Sequence, residues 1–216
     1  MLAPYEGPTS VVGDNPNIQN VALLRQSQTK ALALPNVGMA SAVDWGDLAS
    51  PNGCIHPRWK SPVGARLALT ISALAYGTAA VQPAFYNPTA ILATAVARPG
   101  TTLFDVRVTF NVAVTLVPPI GVGGQPVPPS SATLGCQPNI SGRPYTGCAG
   151  FTVNTVPNDK FLKVAADPDD PTVLMVAAGS VRRPFNMGYL WANWPVAVVW
   201  AAGTGVPVTP FALRVA

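Results

Sequence analysis

The change of pattern near residue 78 constrains this chain most. Before it, residues read as helix, buried strand, long polar loop and helix, which is an α/β order. After it come short Val-, Thr- and Phe-rich runs between Gly and Pro clusters, the mark of an all-β module. One strand and two helices cannot enclose a core by themselves, so the first part is an incomplete α/β domain. The expected architecture is therefore α/β plus all-β, divided into residues 1–77 and 78–216, with the second part a β-sandwich.

The local signals carry that division. Residues 1–17 are rich in Pro, Gly and Asn and lack periodicity. Ile18 to Leu32 reads as an amphipathic helix, with apolar residues at 18, 21, 24 and 31 and Arg25, Gln26 and Gln28 between them. Met39 to Val43 reads as a buried strand, and Asp44 to Lys60 as a polar loop too long to be a plain connection. A second helix is punctuated by Ser61 as N-cap, Pro62 at its first position and Gly77 past its end. Its apolar residues Val63, Leu67, Ile71 and Leu74 form one face. Strands are expected within 103–117, 151–153, 172–178 and 196–201, and the Pro-rich tract 117–130 is expected to be a loop between strands.

Composition narrows the function classes. Of 216 residues, 49% are hydrophobic and 10% charged, which excludes a disordered chain. The 13 Lys and Arg are spread along the sequence, so no phosphate-neutralising stripe forms and nucleic acid is not an expected partner. No charge occurs between Arg66 and Arg98 or between Arg183 and Arg214, yet Gly, Pro and Asn interrupt both stretches, and no membrane span is expected.

The N-terminus has neither a basic nor an apolar signal-peptide region. The protein is thus expected either to be cytosolic or to begin upstream of this Met1. Cys136 and Cys148 bracket a turn-rich segment that holds the glycosylation pattern Asn139-Ile140-Ser141, which favours the second option. A Cys136–Cys148 disulfide, a glycan on Asn139 and a secreted, lysosomal or other endomembrane location are the expectations, with Cys54 left unpaired.

The one histidine, His56, lies in the loop after the expected strand and before the punctuated helix. Open α/β folds place their sites at this end of a strand. A neutral imidazole there can take a proton from a serine hydroxyl and return it to a leaving alcohol. Asp44 and Asp47 are the carboxylates near enough in sequence to orient it. An ordinary hydrogen-bonded histidine is the bland alternative. The Cys, His and Asp spacing makes no metal ligand set, no glycine-rich phosphate loop opens the second helix, and no cofactor is expected. A Cys54 nucleophile is conceivable but disfavoured, because it sits two residues from His56 on the same loop, where side chains project differently.

The blocks Val43-Asp-Trp-Gly-Asp47, Ser50-Pro-Asn-Gly-Cys-Ile-His-Pro-Arg-Trp-Lys60, Val63-Gly-Ala-Arg-Leu-Ala-Leu69 and Leu74-Ala-Tyr-Gly77 resemble the carboxy-terminal catalytic block of the sialate O-acetylesterases. Arg25-Gln-Ser-Gln28 and Leu34-Pro-Asn-Val-Gly-Met-Ala40 fit the segment just before it. Tyr189-Leu-Trp-Ala-Asn-Trp-Pro195 and Val206-Pro-Val-Thr-Pro-Phe211 resemble the family's terminal pattern. The resemblance runs from about residue 18 to 215 with a diverged middle. It implies a flavodoxin-like SGNH hydrolase domain with three layers, flanked by β-sandwich modules, that removes O-acetyl groups from sialic acids or related sugars. His56 matches the family histidine, whereas Arg66 and Lys60 would brace the loop.

Departures are equally specific. The family's Gly-Gln-Ser-Asn-Met-like nucleophile block and its Trp-Tyr-Gln-Gly-Glu-Ser-Asn-like block do not occur, and Ser27, Ser41, Ser50 and Ser61 lack that context. The general SGNH pattern places Asp three residues before the histidine, and Gly53 stands there. Asp47, which belongs to the loop itself, is preferred over Asp44 for the role, and a dyad is the alternative. The expectation is an esterase portion that is inactive alone, whose partner is the missing N-terminal half of the catalytic domain. The competing class is a non-catalytic carbohydrate-binding or structural sandwich using Trp191, Trp194 and Trp200; an interaction module is a third.

Overall fold

A computed structural model describes residues 20–47, 50–53, 55–77, 87–117, 150–154, 162, 164–178, 181–191 and 197–216. Cys54, Cys136, Asn139, Cys148, Trp194 and all but the first residue of the Pro-rich tract lie outside them. Described residues form mostly sheet, with two α-helices: α1 (Asn20–Thr29), continued by a 3-10 turn (Lys30–Ala33), and α2 (Ser61–Tyr76). The strands are β1 (Ala90–Ala97), β2 (Phe104–Phe110), β3 (Val114–Leu116), β4 (Phe151–Val153), β5 (Val164–Ala166), β6 (Val173–Ala177), β7 (Asn186–Tyr189), β8 (Val199–Ala201) and β9 (Phe211–Arg214).

Every ladder is antiparallel. One sheet runs β1-β2-β6-β5, a second β4-β7-β9, and β3 pairs with β8. A parallel bridge from Ala93 to Val215 joins the end of β9 to β1, extended by the Ala95 amide donating to the Ala216 carbonyl at 2.9 Å. In β2 and β6 the alternate residues Val106, Val108, Phe110, Leu174 and Val176 are buried, the period-2 signature of a strand with one face inward. They share a core with Phe151, Tyr189 and Phe211 of β4, β7 and β9. Phe151 and Tyr189 ring centroids lie 4.8 Å apart, and Phe110 meets Phe211 edge to face at 6.2 Å, both favoured ring arrangements. Val43, from the first part of the chain, is fully buried in the same core.

Three local expectations need correction. The stretch Met39–Val43 is not a laddered strand, although Ala40 to Val43 are buried. Its carbonyls are instead met by side chains of α2: Arg66 donates to the Ser41 carbonyl at 2.8 Å and Thr70 to that of Met39 at 3.4 Å. Gly38 makes this close passage feasible, because a Cβ there would overlap the Thr70 methyl.

The second correction concerns the facing of α2. Its buried residues are Arg66 and Thr70, while Leu67 and Ile71 on the expected inner face are 44% and 46% exposed, and Leu74 is exposed too. Spacing fixes which residues share a stripe but not what the stripe meets. The segment beside α2 offers carbonyl oxygens, so the donor-bearing stripe turns towards it. The first helix behaves alike: Arg25 is fully buried, and Leu23 and Leu24 are half exposed.

The third correction is at the start of α2. Lys60, not Ser61, is the N-cap and makes no side-chain capping bond, with Pro62 in the first turn where its missing amide costs nothing. The other end agrees with the sequence. Gly77 closes the helix at φ 60°, its amide donating to the Ser72 carbonyl, and this left-handed region is open to glycine.

Candidate active-site loop

The described residues between Asp44 and Lys60 form no helix or strand but follow a definite plan. Three nested links tie its two limbs together. At the base, Arg66 grips Asp44 through both carboxylate oxygens, each at 2.7 Å. One step in, Arg58 holds Asp47: its Nε donates to Oδ2 at 2.7 Å, its Nη2 to Oδ1 at 3.0 Å and its backbone amide to Oδ2 at 3.1 Å. Innermost, the Ser50 hydroxyl donates to the His56 carbonyl at 2.7 Å, and the His56 amide donates to the Gly53 carbonyl at 2.9 Å. Lys60 returns its ammonium to the Pro57 carbonyl at 2.7 Å.

His56 thus sits beside the innermost link with its backbone fixed on both sides and its side chain exposed. Its imidazole makes no hydrogen bond to any described residue. Arginine donors engage both oxygens of the Asp44 and of the Asp47 carboxylate. The two pairs differ in character. Arg66 is 8% exposed and its guanidinium also reaches the Gly205 carbonyl at 3.1 Å, whereas the Arg58 side chain is 57% exposed. Asp47 raises the Arg58 pKa above its ordinary value, first by hydrogen bonding and then by charge.

Gly53 has φ 89° and supplies the carbonyl that receives the His56 amide. Glycine enters that left-handed conformation at little cost, which suits it to this tight turn. None of the described serines stands as a partner of the imidazole. Ser50 is committed to the His56 backbone, the Ser41 hydroxyl accepts from the Val43 amide at 3.3 Å within a buried segment, and Ser27 and Ser61 are exposed on α1 and at the start of α2.

Arg58 escaped the sequence reading, although a cation two residues beyond His56 was the available signal. Arg66 was expected to brace the loop, and it does so by taking the carboxylate of Asp44. The Gly205 and Trp200 contacts span a sequence distance that carries no local signal. Among the tryptophans expected to serve a sugar, Trp191 and Trp200 are partly buried, and the Trp200 ring lies under the Arg66 guanidinium at 5.9 Å. Trp59, inside the loop, is 74% exposed instead.

Among the described residues no three His, Cys, Asp or Glu side chains come together as a metal site, and no helix is long and apolar enough to cross a membrane.

No family model matches this chain, and no curated protein sequence matches it significantly. A solved structure does. The chain is similar in fold to a carbohydrate acetylesterase from Xanthomonas citri, with a TM-score of 0.65 at 24% sequence identity. The likeness covers 98% of this chain and 39% of that one, so the chain spans well under half the length of its structural neighbour.

Proposed function

We propose that this chain carries the histidine end of a carbohydrate O-acetyl ester hydrolase, of the type that acts on sialic acids or related sugars. The observation that carries this reading is the placement of His56: its backbone is held by Ser50 and Gly53 while its imidazole stays exposed and uncommitted to any described residue. Fold likeness to a carbohydrate acetylesterase and the sequence resemblance to sialate O-acetylesterases support the same chemistry.

In this reading a serine hydroxyl attacks the acetyl carbonyl. The His56 imidazole takes the hydroxyl proton and passes it to the departing sugar oxygen, and water then releases acetate from the acyl-serine by the same route in reverse order. The serine comes from residues outside this chain. Asp47 is the carboxylate preferred to orient His56, because it belongs to the loop itself and its partner Arg58 is exposed, whereas Asp44 is held by the buried Arg66. A His–Ser dyad serves where Asp47 stays with Arg58. Residues 1–77 then form the end of a flavodoxin-like SGNH domain, residues 78–216 its β-sandwich, and the exposed stripe Leu67, Ile71 and Leu74 meets the remainder of that domain. A secretory or lysosomal route, with a Cys136–Cys148 bridge and a glycan on Asn139, completes the reading.

Acetate release from an acetylated sugar or 4-nitrophenyl acetate tests it. The chain alone is expected to be inactive, and a product that also carries the preceding coding sequence active and silenced by His56→Ala. Activity of the short chain that His56→Ala abolishes would refute the external nucleophile. Undiminished activity of the longer His56→Ala product would refute the catalytic role.

A further inference from the structure

We infer that Arg66 is a positioning residue through which the turn after β8 sets the orientation of the His56 loop. The inference rests on the reading of His56 as the proton-handling group, but its central observation is independent of it. Arg66 Nη1 donates to the Ser41 carbonyl and to Asp44 Oδ1, and Nη2 donates to Asp44 Oδ2 and to the Gly205 carbonyl. One guanidinium therefore joins the first residue of the loop, the second turn of α2 and the turn that follows β8.

The same spot is crowded from the all-β side. The Trp200 ring of β8 lies beneath the guanidinium, a cation over an aromatic face. The Tyr189 hydroxyl accepts the amides of Val198 and Val199 at 3.1 and 2.9 Å. Burial is the main reason the Tyr189 pKa is raised, with the Asp44 charge the smallest contributor. The turn itself is sharply made: Gly203 and Gly205 both have positive φ, and the Ala201 amide closes it on the Val206 carbonyl at 2.9 Å.

Both ends of the loop belong to α2. The Lys60 end is continuous with it, and the Asp44 end is held by Arg66. The apolar stripe of α2 is exposed among the described residues, and the Arg66 fork and the buried Val43 are two points at which this unit meets the sheets. A displacement of the 201–206 turn moves Asp44, and the inner links Asp47–Arg58 and Ser50–His56 carry it to the histidine. A misplacement of roughly 1 Å in a reacting group costs on the order of 100-fold in rate.

The sole histidine makes a clean reporter, because the chain gives one imidazole spin system in an NMR spectrum. The probes are Arg66→Lys, which keeps the charge and loses the fork, and Trp200→Leu, which removes the ring. Arg98→Lys is the control: it weakens the Arg98–Asp105 ion pair between the end of β1 and β2, which shares no partner with the loop. Arg66→Lys and Trp200→Leu are expected to shift the His56 imidazole resonances at fixed pH and to speed exchange of the His56 amide about tenfold. Arg98→Lys is expected to do neither.

Folded Arg66→Lys and Trp200→Leu proteins, with sheet circular dichroism intact and an unchanged His56 signature, overturn the inference. If Arg66→Lys does not fold, Trp200→Leu decides on the same readouts, since its partly exposed ring leaves the Asp44 pair in place. In an active longer product the same variants are expected to lower kcat on the order of 100-fold while KM stays within about twofold. An NMR response combined with activity indifferent to His56→Ala sinks the catalytic reading and leaves the coupling standing. A silent spectrum sinks the coupling whatever the activity.

Discussion

Asp44 and Arg66 meet oxygen for nitrogen in a two-pronged pair, both prongs at 2.7 Å and both side chains largely out of solvent. Removing one partner leaves the other buried and uncompensated, which costs more than the pair itself contributes. Arg66→Ala is expected to destabilise the protein by about 3 kcal/mol and Asp44→Asn by less, because an amide still accepts one of the bonds. Urea denaturation of both singles and of the double variant measures the coupling, and additive losses would show that the fork is not a unit.

The Asp47–Arg58 link predicts a local rather than a global effect. Asp47→Asn is expected to leave the melting temperature unchanged and to make the bond after Arg58 more sensitive to trypsin, since the exposed limb loses its tie. Equal cleavage rates in wild type and variant would contradict the nested-link description of the loop.

Tyr189 predicts the alkaline limit. Burial, the largest cause, raises its pKa far above the ordinary 10.0, opposed by the Val199 and Val198 amides and aided by Asp44. The unfolded chain therefore releases this proton first as pH rises. The stability held below about pH 10 is lost progressively above it, because ionisation favours the unfolded state. Stability measured from about pH 9 to 11 is expected to fall with a slope that flattens in Tyr189→Phe; the same slope in both proteins would assign it elsewhere.

Gly38 predicts a steric limit. An alanine Cβ would overlap the Thr70 methyl and come to 2.6 Å from Leu74 Cδ1. Gly38→Ala is therefore expected to cost roughly 1–3 kcal/mol, the usual range for overpacking. Thr70→Ser in the same background is expected to recover part of that loss, as it removes the methyl and keeps the hydroxyl.

Ile71 tests the outward stripe, because its side chain is exposed. Ile71→Lys is expected to change the stability of this chain by no more than about 0.5 kcal/mol, as surface substitutions usually do. A large destabilisation would mean that the stripe is already covered.

Where the signal was local, the sequence could be read well. Gly77 stops α2 because glycine alone enters the left-handed region cheaply, and Val106, Val108 and Phe110 announce β2 by alternation. Strands β1, β5, β7 and β9 lack such a signal and were not expected. Asn186–Tyr189 carries a glycine inside it, and Val164–Ala166 is too short for alternation to show. The helices failed differently. Their periodicity was right, but the direction of the stripe depends on the neighbour, and buried Arg25 and Arg66 reverse the usual assignment. At the site, the position of His56 after a buried segment was legible. The partners of Asp44 and Asp47 were not: Arg66 reaches Asp44 from α2 and is also held by a turn 139 residues away in sequence, and for Arg58, on the loop itself, spacing alone does not set which way the side chain turns.

The nested links separate where the loop is held from how long it is. Asp44–Arg66 and Asp47–Arg58 fix its footing, and the bond from Ser50 to the His56 carbonyl closes its inner end. Insertions or deletions after Pro51 are therefore expected to change the reach of the loop without disturbing the two ion pairs at its base.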